Sequence, residues 1–174
     1  MAQTIPRPIL ILICIFFAVL CGIYIYSINH NNSVEEILAD KLNNEPSIFE
    51  QYVFETTPVS TYVAVSFKEQ DGTIGYSIFE RRKNNYTLIR LNRYYEMGEA
   101  GSQIYYDLFS HDRETYSIFL VNNPLVDKFI WKYGNSNGIV DIVDLPFIYV
   151  FNGPEPSEAE LHYKFVDKDG NEVY

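Results

Sequence analysis

The chain has 174 residues, a length that suits one domain, and it carries 13 basic against 23 acidic residues. The resulting formal charge of −10 disfavours a nucleic-acid partner, because phosphate binding needs an excess of Lys and Arg. Its 15 tyrosines and 12 phenylalanines supply enough apolar surface for a packed core, which argues against a disordered chain.

The amino-terminal region contains one long apolar segment, residues 8–28, without a charged side chain. Ile9–Ile28 alone has 20 residues, and a helix of that length spans about 30 Å, the thickness of the hydrocarbon core of a bilayer. A helix buried in a soluble core is rarely apolar over such a length. The sequence therefore predicts a transmembrane helix at residues 8–28.

The charges around this segment predict its orientation. Arg7 precedes it and the next basic residue is Lys41, so the positive-inside rule places residues 1–7 in the cytoplasm and the rest of the chain outside. A cleaved secretory signal, with cleavage near Tyr24–Asn31, remains an alternative. A lipoprotein signal does not fit, because the bulky Leu20 precedes Cys21.

Three small residues recur at every fourth position of the predicted span: Cys14, Ala18 and Gly22. They share one helix face, and small residues at this spacing allow two helices to approach closely. Self-association through this face is one interpretation, and ordinary packing residues are the other. Both cysteines lie in the span, so the domain outside has no internal disulfide, which fits a bacterial rather than a eukaryotic exported domain.

A polar hinge at residues 29–32 leads into the predicted domain, residues 33–174. Ser33 and Glu36 have the spacing of a capping box at the start of a helix. Apolar residues then follow at helical spacing, at Val34, Ile37, Leu38 and Leu42. The helix is expected to end at residues 43–46, because the residue before a proline avoids the helical region.

Beyond residue 49 the pattern changes to a series of short strands, rich in β-branched and aromatic residues and separated by turn sequences. The predicted runs are Tyr52–Glu55, Thr61–Lys68, Ile74–Arg82, Tyr86–Arg93, Gln103–Phe109, Glu114–Asn122, Val126–Tyr133, Ile139–Val143, Phe147–Phe151, Leu161–Val166 and Glu172–Tyr174. Turns are expected at residues 70–73, 83–85 and 134–138. The predicted fold class is α+β, mainly antiparallel β in a sheet or sandwich, with one short amphipathic helix, preceded by the transmembrane helix.

Motifs for catalysis, metals and cofactors are weak in this sequence. Asp167–Glu172 begins like a calcium loop, but the loop glycine and terminal glutamate are not at the required positions, so a β-turn is predicted. His111 is close in sequence to Asp107, Asp112 and Glu114, an arrangement that suits acid–base chemistry or a solvated loop. The sequence therefore assigns no catalytic residue, no metal ligand and no cofactor.

Two groups of residues are candidates for binding. Five basic residues fall in one predicted hairpin: Arg81, Arg82, Lys83, Arg90 and Arg93. On an acidic domain they could orient a partner or contact an anionic polymer, and the alternative is protection of a strand edge. Two tyrosine pairs flank the loop at residues 97–102: Tyr94 and Tyr95, Tyr105 and Tyr106. Since adjacent strand residues face opposite sides, one tyrosine of each pair is expected to be exposed.

Several segments together resemble small membrane-anchored extracytoplasmic proteins of Gram-positive bacteria that have no assigned activity. These segments are SVEEIL, SIFERRKNNYTLIRL, SIFLVNNPLVDKFIW and YKFVDKDGNEV. The resemblance implies a location in the cell envelope and a capped helix followed by a series of strands. It implies no catalytic residues.

The expected function is therefore that of a non-catalytic interaction or accessory domain, held at the outer side of a membrane by residues 8–28. Its partner would be an envelope protein that contacts strand edges and aromatic side chains. A module that binds a cell-wall polymer or carbohydrate, through exposed aromatics and the basic hairpin, is the first alternative. An envelope hydrolase is the second.

Overall fold

A computed structural model describes residues 15–21, 32–83, 85–95, 103–111, 114–153 and 161–173. The chain divides into two compact units, Met1–Asn32 and Ser33–Tyr174. Mainly antiparallel β-structure, with two short helices, makes up the described residues. The coarse prediction of a β-rich α+β fold is thus confirmed.

The first unit contains helix α1, at residues 15–21. Ala18 lies in this helix, whereas Cys14, Gly22 and the flanking parts of the predicted span, 8–14 and 22–28, lie outside the described residues, as do residues 1–7 and the hinge at 29–31. Of the helices in the described ranges, none combines the length and apolar character that a membrane crossing needs.

Helix α2 (Val34–Leu42) opens the second unit and confirms the predicted capping box. The Ser33 Oγ accepts a hydrogen bond from the Glu36 backbone N–H at 3.2 Å, and the Glu36 Oε2 accepts one from the Ser33 N–H at 3.0 Å. Asn43 ends the helix in the left-handed region, at φ 55°. Val34, Leu38 and Leu42 are buried, which orients α2 on the domain as its apolar spacing predicts.

Ten strands follow in the described residues: β1 (Ser47–Thr56), β2 (Thr61–Lys68), β3 (Ile74–Arg82), β4 (Asn85–Tyr94), β5 (Ile104–His111), β6 (Glu114–Val121), β7 (Lys128–Tyr133), β8 (Ser136–Asp141), β9 (Phe147–Gly153) and β10 (Leu161–Val166). They form three antiparallel sheets. Sheet 1 has the order β1-β2-β3-β4, sheet 2 the order β5-β6-β9, and sheet 3 the order β10-β7-β8.

Three apolar clusters stack these elements in the order α2, sheet 1, sheet 2, sheet 3. The first cluster joins α2 to β2 and β3. The second lies between sheets 1 and 2, and the third between sheets 2 and 3. Strand β6 is buried on both faces, since Ile118 contacts the second cluster and Phe119 the third. Sheet 2 is therefore the central layer of the domain.

The long first strand was only partly predicted. Tyr52–Glu55 was expected, whereas β1 runs over Ser47–Thr56. Its pairing with β2 shifts register twice, between Ile48 and Glu50 and between Val53 and Glu55. Each shift interrupts the alternation of inward and outward side chains, and this alternation is the signal by which a strand is recognised in sequence.

The turn predicted at residues 134–138 is shorter than expected. Strand β8 begins at Ser136, and only Gly134, with φ 54°, and Asn135 connect it to β7. Gly138 lies within β8, where a Cβ atom would be 2.5 Å from the Trp131 Cε2. Gly138 is needed because the indole ring occupies the space of a side chain, and not because the chain turns there. The glycine content of residues 134–138 therefore predicted a turn that is too long.

The predicted turn in Asp167–Glu172 is confirmed. The Gly170 N–H donates to the Asp167 carbonyl at 3.1 Å, and Gly170 has φ 84°. The Asn171 Nδ2 donates to the Asp167 Oδ2 at 3.0 Å, and the backbone N–H groups of Asn171 and Asp169 donate to the Oδ1 at 2.8 and 2.9 Å. These bonds, that of the Asn171 side chain first, lower the pKa of the Asp167 carboxyl. After the turn, Glu172 forms an isolated bridge with Val166 instead of the predicted strand, and Tyr174 lies outside the described residues.

Candidate functional site

The candidate site lies where β4, an edge strand of sheet 1, faces β5, an edge strand of sheet 2. Side chains of β4 contact β5 through hydrogen bonds from Arg90 and Asn92 to Asp107 and through the stacking of Tyr94 on Tyr105. Arg90 also donates a hydrogen bond to the Leu108 carbonyl. Three of the predicted binding residues, Arg90, Tyr94 and Tyr105, are therefore brought together. The central residue, Asp107, was considered in the sequence only as a neighbour of His111.

Three side chains donate hydrogen bonds to one oxygen of Asp107. The Tyr76 hydroxyl lies 2.7 Å, the Arg90 Nη2 2.8 Å and the Asn92 Nδ2 2.5 Å from the Asp107 Oδ2. The other oxygen, Oδ1, accepts from the Leu108 backbone N–H at 2.8 Å. Because the three donors come from β3 and β4 and the acceptor from β5, this network fixes the edges of two sheets relative to each other.

Burial sets the protonation of the tyrosines in this network. It is the largest cause that raises the pKa of the Tyr76 hydroxyl, and the hydrogen bond to the Asp107 carboxylate raises it further. Burial also raises the pKa of Tyr94. Both hydroxyls therefore stay protonated at neutral pH, and Tyr76 acts as a hydrogen-bond donor to Asp107.

A stacked pair of aromatic rings borders the network. The centroids of Tyr94 and Tyr105 are 4.1 Å apart, with 23° between the ring planes, and Tyr94 also stacks on Tyr76 at 6.4 Å. Both residues of the pair are partly buried against the cluster between sheets 1 and 2. Tyr94 and Tyr105 therefore stabilise the packing of β4 on β5 and offer little surface to a partner.

Their neighbours in sequence face outward, as the alternation along a strand predicts. Tyr95 is 62% exposed and lies under the Arg93 guanidinium, 5.7 Å from the ring centroid. Tyr106 is 49% exposed, on the opposite face of β5 from Tyr105, and its ring lies 6.2 Å from that of Tyr163 at an angle of 17°. Tyr163, 37% exposed, was not among the predicted contact residues.

The basic residues of the β3–β4 hairpin do not form one patch. Arg90 and Arg93 lie on opposite faces of β4, since Arg90 contacts Asp107 of sheet 2 while Arg93 binds the buried Glu69. The Arg93 Nε and Nη2 donate to the two oxygens of Glu69 at 2.6 and 2.9 Å, which raises the pKa of the guanidinium.

The other three basic residues of this group lie near the hairpin turn. Arg82 is exposed and pairs with Glu80 at 2.7 Å. Arg81 is half-buried, and Lys83 is exposed in the turn, with φ 57°. Three of the five cations thus have a carboxylate partner, a property that the sequence does not show because Glu69 and Asp107 belong to other segments.

His111 belongs to a second polar cluster at the far end of β5. Its Nε2 lies 2.7 Å from the Tyr62 hydroxyl. Nearby, the Tyr116 hydroxyl contacts the carboxylates of both Glu55 and Glu114, the latter at 2.9 Å. Burial and these two carboxylates raise the pKa of Tyr116.

The two polar clusters on β5 are separate. Asp107, Phe109 and His111 share the face of β5 that points to sheet 1, and the buried Phe109 lies between the other two. The acid–base arrangement considered for Asp107 with His111 is therefore not formed, and Asp112 lies outside the described residues. Alternation along β5 could have shown that these residues share a face, but not which residues of sheet 1 they meet.

A shallow depression elsewhere is lined by acidic and apolar side chains: Phe49, Glu50, Asp141, Val143, Asp144 and Phe147. Burial raises the pKa of Glu50, and the negative charge of Asp144 adds to this, whereas the Ile148 N–H, which donates to Glu50 at 3.2 Å, lowers it. Among the described residues, no three His, Cys, Asp or Glu side chains are placed to hold a metal ion.

Comparisons with protein-family models, with curated proteins and with solved structures find no match to this chain. Its function is accordingly inferred from the geometry of the site and from the sequence.

Proposed function

We propose that the chain is a single-pass membrane protein whose residues 33–174 form a non-catalytic interaction or accessory domain outside the cytoplasm, in the envelope of a Gram-positive bacterium. The uncharged apolar segment at residues 8–28 supports the anchor. The position of Arg7 before it, with no further basic residue before Lys41, supports the orientation. The small residues Cys14, Ala18 and Gly22 would allow two such anchors to associate.

The observation that carries the proposed interaction is that two tyrosines, Tyr95 and Tyr106, are exposed at the edge strands β4 and β5, whose backbones are held by side-chain contacts between the two sheets. Tyr95 and Tyr106 are exposed, while the residues next to them, Tyr94 and Tyr105, stack on each other. Tyr94 also stacks on Tyr76, one of the hydrogen-bond donors to Asp107. Exposed tyrosines offer a large contact area at a small entropic cost, which is why they are common at protein interfaces. A backbone that is already held in place reduces the entropy lost on binding further.

The same network supports a role without catalysis. The Asp107 Oδ2 accepts three hydrogen bonds, so this carboxylate holds β3, β4 and β5 together rather than facing a substrate. His111, the other residue considered for acid–base chemistry, contacts Tyr62 in a different cluster.

Site-specific photocrosslinking tests this proposal. A photoreactive amino acid is introduced at Tyr95 or Tyr106, and at Val59, an exposed residue in the β1–β2 connection, as control. In intact cells that express the full chain, we expect one defined envelope protein to be captured from positions 95 and 106 and not from position 59. Equal capture from all three positions, or none from 95 and 106, would contradict the proposed edge.

A carbohydrate partner is a second candidate, favoured by the geometry of Tyr106 and Tyr163. Their nearly parallel, exposed rings could each contact the apolar face of a sugar, and the Tyr106 hydroxyl lies 3.2 Å from the Ser117 hydroxyl. Co-sedimentation of the full chain with purified cell walls, compared with a Tyr106→Ala and Tyr163→Ala variant, tests this candidate. Unchanged sedimentation of the variant would exclude the two rings as its site.

A further inference from the structure

The outer face of sheet 3 is a second surface, distinct from the tyrosine edge. Phe129 and Trp131 point inward to the cluster between sheets 2 and 3, so the alternate residues of β7 point outward. The neighbouring strands β10 and β8 follow the same alternation, since Phe165 and Val140 face inward. Eight outward residues of this face are at least partly exposed: Lys128, Ile130 and Lys132 on β7, His162 and Lys164 on β10, and Asn137, Ile139 and Asp141 on β8. A ninth, Val166 opposite Lys128, is buried.

Strand register places the three lysines of this face in a regular series. Lys164 of β10 is opposite Ile130, which lies between Lys128 and Lys132 on β7. Each step from Lys128 to Lys164 to Lys132 therefore advances two residues along the strands, about 7 Å, while it crosses about 4.8 Å between neighbouring strands. We call Lys128, Lys164 and Lys132 the lysine series.

The charge of this face differs from that of the domain. Asp141 is opposite Lys128, and Asp127 lies 3.7 Å from it, so this lysine is partly neutralised. Lys132 and Lys164 are exposed, and within the described part of the chain neither forms an ion pair. Glu172, which bridges to Val166, adds another carboxylate in the row of Lys128. Because the domain as a whole has 23 acidic residues and 12 basic ones, the part of this face around Lys132 and Lys164 is locally positive on a negative surface.

Apolar side chains lie directly beside these charges. Ile139 is 68% exposed, and Ile130 is half-buried next to it, in the same row as Lys164. A sheet surface with regularly spaced cations and aliphatic side chains between them fits an extended chain with evenly spaced anions and short carbon linkers.

From this arrangement we infer that the outer face of sheet 3 binds a linear phosphodiester polymer of the cell envelope. The ammonium groups of Lys132 and Lys164 contact successive phosphates, and Ile130 and Ile139 contact the carbon linkers between them. Lys128 extends the series at its partly neutralised end. The binding is electrostatic and reads the spacing of charges rather than a particular sugar.

The outer face of sheet 3 lies at one end of the stack of layers in the domain. The chain enters the domain at α2, and sheet 3 is separated from α2 by sheets 1 and 2. The face is thus on the opposite side of the domain from α2, the first element of the domain. That the polymer belongs to the envelope rests on the proposed location, whereas the binding itself can be measured in solution.

The test is a titration of the full chain, in neutral detergent, with poly(glycerol phosphate) at several salt concentrations. The variant is Lys132→Gln with Lys164→Gln, and the matched control is Lys41→Gln with Lys68→Gln, two lysines of α2 and β2 with the same change in charge. We expect the variant to bind about tenfold more weakly at low salt, and its slope of log K against log salt to fall by about 1–2. The control should stay within about twofold of the unmodified chain.

Three outcomes would overturn the inference. The first is absence of binding at low salt, and the second is an equal loss in both double variants, which would show only an effect of net charge. The third is tighter binding to phosphatidylglycerol vesicles, to polyglutamate or to dextran than to poly(glycerol phosphate), which would assign the face to a lipid, an acidic protein or a neutral glycan. None of these outcomes bears on the crosslinking at Tyr95 and Tyr106, so the two proposals fail separately.

Discussion

At the scale of single residues, Asp107 shows how one carboxylate can connect two sheets. Its side chain is only partly buried, and Arg90, with which it pairs at 2.8 Å, is also partly exposed. A salt bridge of this kind contributes little by itself, because solvent screens the charges. The additional hydrogen bonds from Tyr76 and Asn92 contribute more to stability, because these two donors lose their acceptor when the carboxylate is removed.

Replacement of Asp107 by asparagine tests this role. Asp107→Asn keeps the size of the side chain but removes the charge that faces Arg90 and one oxygen acceptor. We expect the free energy of unfolding to fall by about 1–3 kcal/mol, measured by urea denaturation with the fluorescence of Trp131, the single tryptophan. The control is Asp169→Asn in the exposed turn after β10, with an expected change within about 0.5 kcal/mol. Equal effects of both substitutions would contradict the network.

Glu50 gives a prediction with a defined pH dependence. Its pKa is raised above 4.5 in the folded protein, first by burial and then by Asp144. A carboxyl that binds its proton more tightly in the folded state makes stability fall as the pH rises from the ordinary pKa through the raised one. The ionised Glu50 is therefore unfavourable at neutral pH.

Glu50→Gln should accordingly raise the melting temperature at pH 7 by a few degrees, since the amide oxygen can still accept from the Ile148 N–H. The gain should shrink below pH 4, where the carboxyl of the unmodified chain is protonated in both states. Thermal unfolding at the two pH values measures this difference. A gain of the same size at both would show that packing, not ionisation, is responsible.

At the scale of elements, the β7–β8 hairpin depends on one close approach. A Cβ atom on Gly138 would lie within 2.6 Å of three atoms of the Trp131 ring. The indole N–H is buried and forms no hydrogen bond within the described residues, so packing alone holds the ring in place. The position of β8 beside β7 thus requires glycine, a residue without a side chain, at position 138.

Gly138→Ala is therefore expected to destabilise the domain by about 1–3 kcal/mol, the usual cost of overpacking. It should also change the emission of Trp131, because the ring must move. The control is Asn137→Ala, one position earlier in the same strand and exposed on the other face. If Gly138→Ala left both stability and emission unchanged, the ring would not pack as described.

At the scale of the whole molecule, the predicted anchor leads to a clear expectation. If residues 8–28 span the membrane, the full chain should stay in the membrane fraction after a carbonate wash, and deletion of residues 1–32 should release the domain. Protease added to intact spheroplasts should digest residues 33–174, because they are expected outside. A soluble chain that begins near residues 24–31, identified by mass spectrometry, would instead favour a cleaved signal.

The strands of this domain could be predicted to a large extent from local signals. The bounds of β2 and β3 match the predicted runs, because these segments are rich in β-branched and aromatic residues and the turn before Thr73 separates them. Prediction was poorer where the register shifts in β1 and where Gly138 serves packing instead of a turn. In both places a contact with another strand, absent from the local sequence, decides the structure.

The candidate site could be predicted only in part. Alternation along a strand predicts that one tyrosine of each pair is exposed, but only the packing of the sheets decides that these are Tyr95 and Tyr106. Tyr163 and the division of the arginines between two faces could not be inferred, because their partners come from distant segments. Arg93, for example, binds Glu69 across a separation of 24 residues.

The sequence by itself determined the features that neighbouring residues specify. These are the capped helix α2, most turns and strands, the β-rich class and the uncharged apolar segment at residues 8–28. Only the tertiary structure decided the order of the strands in three sheets, the stacking of those sheets and the partners of Asp107. Alternation shows that a strand has two faces, but long-range packing chooses what covers each face.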